Sequence, residues 1–181
     1  LYFSDHFRKV ISFEPNPRTY KVLQINAELV SNLVCFNQGI SDTDTKLLLG
    51  TCDTNSGRSA ITNNDNGGAR PIRVKPLDTI IDAAEQVSLI KIDVEGHEEK
   101  VLIGAEQTIR RNQPIILFEQ HKEDFFNNST ASIELLKSYG YVNFAVIENW
   151  PPLLKSIPGF LRKSYRSRPA SRLPRRRDRR T

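Results

Sequence analysis

Short apolar runs and longer amphipathic segments alternate along the first part of the chain. Residues 10–13 form an apolar run, and in the turn that follows, Asn16 suits the N-cap of a helix and Pro17 its first position. A helix over about residues 17–31 is predicted by apolar residues at helical spacing, namely Val22, Leu23, Ala27 and Val30. Residues 33–37 are predicted as the next strand. The pattern predicts a β-α-β unit with parallel strands.

The second half of the chain repeats this alternation. The predicted elements are a strand at residues 89–94, a helix at 97–112, a strand at 114–118, a helix at 132–139 closed by Gly140, and a last strand at 142–147. Residues 43–75 are less regular, with short edge strands expected at 45–49 and 72–74, and a brief helix is expected at 77–84. Strands that alternate with helices predict an α/β fold with a doubly wound, mostly parallel sheet.

Charge divides the chain into two parts. The 181 residues contain 26 Lys or Arg and 21 Asp or Glu, of which residues 162–181 hold ten basic residues and one acid. That segment therefore carries +9, and residues 1–161 carry −4. The expected organisation is one α/β domain over residues 1–161 and a basic, disordered tail over residues 162–181, because the tail cannot bury enough apolar surface to fold.

The basic tail has two interpretations. It could contact nucleic acid or an anionic membrane nonspecifically, which would suit a binding-only or inactive domain. It could instead be a solvated linker or a segment foreign to the domain, and this is favoured because no groove-reading motif accompanies the charge.

Cysteine content and hydropathy indicate the cellular setting. Two cysteines are too few for a disulfide scaffold, which favours a reduced, cytoplasmic location. No apolar run reaches the roughly 18 residues of a membrane span. The chain begins at Leu1 and contains no methionine. We therefore expect it to be an N-terminally truncated part of a longer protein.

Acidic residues stand at the ends of four predicted strands or in the turns that follow them. They are Glu14, Asp42, Asp93 and Glu119. Because the carboxyl ends of parallel strands meet at one edge of a sheet, we expect these acids to converge on a single crevice, where ligands bind in such folds.

Two of these acids suit a nucleotide. Glu14 ends the strand at residues 10–13. An acid at the end of the second strand of a nucleotide-binding unit accepts hydrogen bonds from ribose hydroxyls, about 20 residues after the glycine-rich loop that follows the first strand. Counting back that far passes the start of the chain. The alternative is that Glu14 caps the helix near Asn16. Asp42 suits an adenine amino group, or it stabilises a turn.

Several motifs resemble the FkbM family of methyltransferases. They are Phe13-Glu14-Pro15-Asn16-Pro17, Gly39-Ile40-Ser41-Asp42, Ile90-Lys91-Ile92-Asp93-Val94-Glu95-Gly96-His97-Glu98, Val101-Leu102-Ile103-Gly104-Ala105 and Leu117-Phe118-Glu119-Gln120-His121. The resemblance covers about residues 8–147. The motif around Asp93 is the most specific of the five, and all of them occur in the family's order.

This resemblance implies a class I, Rossmann-like fold and methyl transfer from S-adenosylmethionine to a hydroxyl of a sugar, a glycolipid or a small natural product. It implies that Glu14 holds the ribose, that Ser41 and Asp42 face the adenine, and that Asp93 lies beside the methionine end. The family's first strand and its Asp-x-Gly-Ala-Asn-x-Gly loop are missing from the sequence.

The Asp93–His97 segment itself supplies catalytic candidates. Asp93 and Glu95 lie two residues apart, so on an extended backbone they share a face. His97 is the natural general base because its ordinary pKa lies near neutrality, and Glu95 could orient it or bind acceptor hydroxyls. Alternatively, His97 is a solvated residue at a helix start. Glu119 and His121 form a second acid–histidine pair.

The same residues also allow two other kinds of site, a divalent-cation site and the active site of an oxidoreductase. Asp93, Glu95, His97 and Glu119 have the ligand types of a Mg²⁺ or Mn²⁺ site, although no metal is expected because strand-end acids in a nucleotide fold serve without one. A nicotinamide-dependent oxidoreductase would need a hydride-handling pair such as Tyr-Lys near the crevice, and no such pair is well placed. The expected partner is a small-molecule or glycan acceptor.

Overall fold

The computed structural model describes residues 2–51, 59–62, 69–120, 124–127 and 129–147. The chain divides into two units, Leu1–Val142 and Asn143–Thr181. The predicted boundary at residue 161 and the whole basic tail lie outside the described residues. The helices are α1 (Tyr2–His6), α2 (Pro17–Ala27), α3 (Glu98–Gly104), α4 (Glu106–Asn112) and α5 (Ala131–Ser138). The strands are β1 (Val10–Phe13), β2 (Leu33–Phe36), β3 (Gly39–Ile40), β4 (Thr45–Thr51), β5 (Ser59–Thr62), β6 (Arg70–Lys75), β7 (Leu89–Ile92) and β8 (Ile115–Phe118).

The predicted β-α-β unit is present as β1, α2 and β2. The two strands pair in parallel, with Val10 opposite Leu33 and Phe13 opposite Phe36. Asn16 caps α2 by accepting a hydrogen bond from the backbone N–H of Arg18 at 3.0 Å. The cap and the proline at the helix start explain why α2 begins where the sequence predicts.

A second parallel pair, β7 and β8, belongs to the main hydrophobic core. Residues of α3, α4 and α5 pack against these strands. The buried residues of this core are Leu77, Ile92, Val101, Leu102, Ala105, Ile109, Leu136 and Tyr139. Leu102, Ala105 and Ile109 are fully buried. Val101, Leu102, Ala105 and Ile109, which recur at helical spacing, thus lie in the core. The apolar positions that predicted α2 do not, because no residue of α2 is buried and Val22 is 59% exposed. The parallel pairs confirm the predicted α/β class.

The middle of the chain forms a four-stranded sheet in the order β3-β6-β4-β5. Strand β6 pairs in parallel with β3 and antiparallel with β4, and β4 also pairs with β5. The expectation that the segments at 45–49 and 72–74 are edge strands is therefore wrong. Both lie inside the sheet, where Leu49, Ile72 and Val74 form a small core. Local sequence does not reveal how many neighbours a strand acquires.

The long helix predicted over residues 97–112 is two helices. The break falls at Ala105, which has φ −114° and ψ 9°. Asp78, distant in sequence, accepts hydrogen bonds from the backbone N–H groups of Gln107 and Thr108, each at 2.8 Å. This carboxylate caps the start of α4, so that a tertiary contact allows the second helix to begin separately.

The prediction of a last strand at residues 142–147 is wrong. These residues have no regular secondary structure, and Val142 and Val146 are exposed. An alternating apolar pattern forms a strand only where a neighbouring strand takes up its backbone hydrogen bonds. Helix α5 does end as predicted, with Gly140 at φ +100°. Within the described part of the chain, no helix is long and apolar enough to span a bilayer.

Gly104, at the end of α3, lies directly against the backbone of Ser41. A Cβ placed on Gly104 would stand 1.9 Å from the carbonyl oxygen of Ser41 and 2.8 Å from its carbonyl carbon. These are main-chain atoms, which cannot rotate away. Only glycine therefore lets α3 approach the segment that follows β3 so closely.

The substitution Gly104→Ala is expected to lower the free energy of unfolding by about 1–3 kcal/mol, because the added methyl forces α3 away from Ser41. This effect opposes the usual gain from replacing glycine by alanine in a helix. Urea denaturation measures it. The exposed control Gln107→Ala is expected to stay within about 0.5 kcal/mol of wild type. An unchanged or increased stability of Gly104→Ala would contradict the close contact.

Candidate functional site

Glu14 follows β1 at the carboxyl end of the strand. Its Oε1 accepts a hydrogen bond from the backbone N–H of Asn16 at 2.7 Å, and burial raises the pKa of the carboxyl. Asn37 donates to the backbone carbonyl of Glu14 at 2.9 Å, which ties the end of β1 to the segment after β2. The alternative interpretation, in which Glu14 caps the helix near Asn16, is therefore supported by one hydrogen bond. The second carboxylate oxygen is outside that contact and keeps its own acceptor capacity.

Ser41 and Asp42 follow β3 and lie against α3. Ser41 is 1% exposed, and its backbone N–H donates to the carbonyl of Lys75 at 3.0 Å. Lys100 donates to Oδ2 of Asp42 at 2.6 Å, and this contact holds the pKa of the Asp42 carboxyl below its ordinary value. Asp42 is consequently an ionised carboxylate near neutral pH, and such a group only accepts hydrogen bonds.

His97 meets this pair from the start of α3. Its Nε2 lies 2.9 Å from Oγ of Ser41, and the same hydroxyl donates to Oδ1 of Asp42 at 3.1 Å. Burial lowers the pKa of the half-buried imidazole, while the charge of Asp42 acts against that shift. His97 is therefore not the solvated residue of the alternative interpretation. Three predicted site residues form one hydrogen-bonded group.

The turn between β7 and α3 departs from the extended geometry that the sequence predicts. Strand β7 ends at Ile92, and Glu95 has a left-handed backbone with φ +49°, followed by Gly96 at φ +96°. The rule that residues two apart share a face holds for extended backbone and not through such a turn, so it no longer supports the expectation that Asp93 and Glu95 share a face. Asp93 instead pairs with Lys91 at 2.8 Å.

Glu98 fixes this turn. The residue is 5% exposed, and its Oε1 accepts a hydrogen bond from the backbone N–H of Gly96 at 3.1 Å. Glu98 lies in the first turn of α3, where an acid interacts favourably with the positive end of the helix. Its burial shows a second role, since a buried carboxylate needs a donor and this contact provides one.

Lys100 and Gly104 have no site role predicted from the sequence, although Gly104 belongs to one of the family motifs. Lys100 follows His97, the N-cap of α3, by three residues, and Gly104 lies another turn along the helix. Helical spacing could have placed them together. It could not have shown that Ser41 and Asp42 lie opposite them, because that depends on the packing of α3 against β3.

Of the remaining candidates that the structure describes, neither Glu14 nor Glu119 is hydrogen-bonded to this group. Glu119 follows β8, whose register places Phe118 opposite Ile92, and His121 lies outside the described residues. Glu14 bonds to Asn16 rather than to the group around His97. Among the residues described, no three His, Cys, Asp or Glu side chains are placed to hold a metal ion. The suggested divalent-cation site of Asp93, Glu95, His97 and Glu119 is thus not formed.

Comparison with known proteins identifies the family. The family profile for the methyltransferase FkbM domain matches residues 3–142, so the chain belongs to this domain family. The family resemblance and the α/β class expected from the sequence are confirmed. No curated protein matches the chain.

A solved structure is also similar to the chain. It is the crystal structure of methyltransferase FkbM from Methylobacillus flagellatus KT, with 22% sequence identity and a TM-score of 0.46. The similarity covers 74% of this chain but 30% of that protein. This chain thus corresponds to less than a third of the length of the solved relative.

The left-handed backbone of Glu95 gives a stability prediction. A left-handed conformation costs a residue with a side chain about 1–2 kcal/mol, a cost that glycine avoids. In contrast, glycine inside a helix costs about 1 kcal/mol. We expect Glu95→Gly to be more stable than the control Glu99→Gly, in the exposed first turn of α3, by about 1 kcal/mol or more. Thermal and urea unfolding compare the two; the reverse order would contradict the assigned backbone.

The lowered pKa of His97 predicts a pH dependence. Because the folded protein binds this proton less readily than the unfolded chain, the contribution of His97 to stability is complete above the unfolded pKa of about 6.5 and is lost as the pH falls below it. Denaturation at pH 7.5 and 5.5 should show a smaller acid loss for His97→Gln than for wild type. The control His6→Gln, on the exposed face of α1, should lose as much free energy of unfolding as wild type between pH 7.5 and pH 5.5.

Proposed function

We propose that the protein transfers a methyl group from S-adenosylmethionine to a hydroxyl oxygen of a sugar, a glycolipid or a small natural product. The observation that carries the proposal is the hydrogen-bonded group of Ser41, Asp42 and His97. It joins an acid suited to the adenine with a neutral imidazole suited to proton transfer, within a domain of the FkbM methyltransferase family. These are the two tasks that methyl transfer to a hydroxyl requires of a protein.

The residues fit the cofactor by the chemistry of their acceptors. A carboxylate has about four acceptor positions, of which Glu14 is given one donor, the N–H of Asn16. The positions that remain suit two ribose hydroxyls. Asp42 receives one donor on each oxygen, from Ser41 and Lys100, and so retains capacity for an adenine amino group. Asp93, exposed after β7, would face the methionine end.

S-adenosylmethionine supplies a methyl group that is activated by a positively charged sulfur. The protein must hold the acceptor hydroxyl in line with that group and remove its proton. His97 would take the proton, because burial keeps its imidazole neutral at physiological pH. Glu95 would bind acceptor hydroxyls or orient His97. Its left-handed backbone supports such a role, since backbone strain concentrates at functional sites.

Calorimetric titration with S-adenosylmethionine tests the cofactor assignment. Glu14→Gln and Asp42→Asn keep the shape of each side chain but remove its charge, and each is expected to weaken binding about tenfold. Glu28→Gln, at the exposed end of α2, and Asp44→Asn, two residues after Asp42, are the matched controls and should bind like wild type.

The titration also has outcomes that contradict the proposal. Absence of heat and of any thermal shift with S-adenosylmethionine would reject it for this chain and favour the binding-only alternative. Equal binding by Glu14→Gln, Asp42→Asn and their controls would reject the assigned residues while leaving the cofactor itself in place.

A further inference from the structure

The single proton of the Ser41 hydroxyl determines how the group around His97 is connected. Oγ of Ser41 lies within hydrogen-bond distance of two groups, Oδ1 of Asp42 at 3.1 Å and Nε2 of His97 at 2.9 Å. A hydroxyl donates one hydrogen bond and accepts others. It can therefore donate to only one of these two neighbours.

Asp42 decides which neighbour receives the proton. Lys100 donates to Oδ2 of Asp42 at 2.6 Å, so the carboxylate is paired with a cation and remains ionised. An ionised carboxylate has no proton to give, and its contact with Ser41 requires the hydroxyl to be the donor. The oxygen of Ser41 is then left as an acceptor for His97, and Nε2 must carry the proton that it donates.

We propose that Lys100, Asp42 and Ser41 hold His97 in the tautomer protonated at Nε2, which makes Nδ1 the nitrogen that removes the acceptor's proton. The assignment rests on the proposed function and specifies its base to a single atom. Lys100 is a positioning residue, because it acts through Asp42 and Ser41 and not on the acceptor. The same logic operates wherever the hydrogen bond at one ring nitrogen selects the reactive one.

The proton and electron balance is complete with the groups named. The acceptor O–H bond breaks, its proton bonds to the lone pair of His97 Nδ1, and the electron pair left on oxygen forms the bond to the methyl carbon. The sulfur–carbon bond breaks and its electron pair returns to sulfur. The imidazolium that results, protonated on both nitrogens, then releases a proton to water.

Helix α3 makes this arrangement rigid. His97 is the N-cap of the helix and Lys100 lies three residues later in its first turn, and both contact the Ser41–Asp42 segment. Gly104, further along the same helix, lies against the carbonyl of Ser41. The segment proposed to face the adenine and the base proposed to face the acceptor are thereby fixed to each other by three separate contacts.

The tautomer can be observed directly in the protein without any ligand. With ¹⁵N-labelled histidine, long-range nitrogen–proton spectra at a pH about 1.5 above the ordinary histidine pKa should show His97 protonated at Nε2, with Nδ1 bearing the lone pair. His97→Gln identifies the signal among the three histidines. A wild-type His97 protonated at Nδ1 would overturn the proposal.

A free histidine also prefers the tautomer protonated at Nε2, so a second measurement must show that Ser41, Asp42 and Lys100 hold this proton. The rate at which the Nε2 proton exchanges with solvent is that measurement. Ser41→Ala removes the acceptor and should speed this exchange about tenfold or more, whereas Ser138→Ala on α5 should not change it. Lys100→Gln should speed it about two- to fivefold, and Lys100→Arg should restore it. An unchanged exchange rate in both Ser41→Ala and Lys100→Gln would overturn the proposal. If Ser41→Ala does not fold, an unchanged exchange rate in Lys100→Gln alone would overturn it.

The result is distinguishable from a failure of the proposed function. Suppose that His97 is protonated at Nε2 and its exchange rate rises in Ser41→Ala, but the protein does not bind S-adenosylmethionine. This result would reject the proposed function and support the hydrogen-bonded chain from Lys100 through Asp42 and Ser41 to His97. Binding of S-adenosylmethionine by a protein whose His97 is protonated at Nδ1 would keep the function and reject Nδ1 as the base.

Discussion

The close contact between Gly104 and the Ser41 carbonyl is the constraint on which the candidate site depends. A side chain at residue 104 would stand between α3 and the end of β3, because the atoms opposite it belong to the main chain. Without this approach, His97 and Lys100 could not both reach the Ser41–Asp42 segment. The site is thus built by packing a helix on a backbone, which requires the smallest residue at one position.

Burial then sets the chemistry of the group. Ser41 is almost fully buried, so its hydroxyl needs partners and finds one on each side. Burial also lowers the pKa of His97, and the ion pair with Lys100 lowers that of Asp42. This ion pair is partly exposed and adds little to stability by itself. Its consequence is the ionised state of Asp42, from which the direction of each hydrogen bond follows.

Local sequence predicts most elements of the described fold because their signals are local. Asn16 and Pro17 define the start of α2, and apolar spacing within residues 97–112 identifies four residues of the main core, although the apolar positions of α2 are not buried. Errors occur where a distant residue decides the outcome. Asp78 separates α3 from α4, strand β4 gains neighbours on both sides, and residues 142–147 form no strand. Pattern arguments contain no information about such partners.

The candidate site shows the same division. The sequence by itself determined the family motifs, the residue types and their positions at strand ends, because those follow from order along the chain. Only the tertiary structure decided that His97 meets Ser41 and Asp42, that Lys100 joins them, and that Glu14 and Asp93 bond elsewhere. The reason is physical: strand ends define an edge, but the packing of α3 and a left-handed turn at Glu95 decide which side chains on that edge touch.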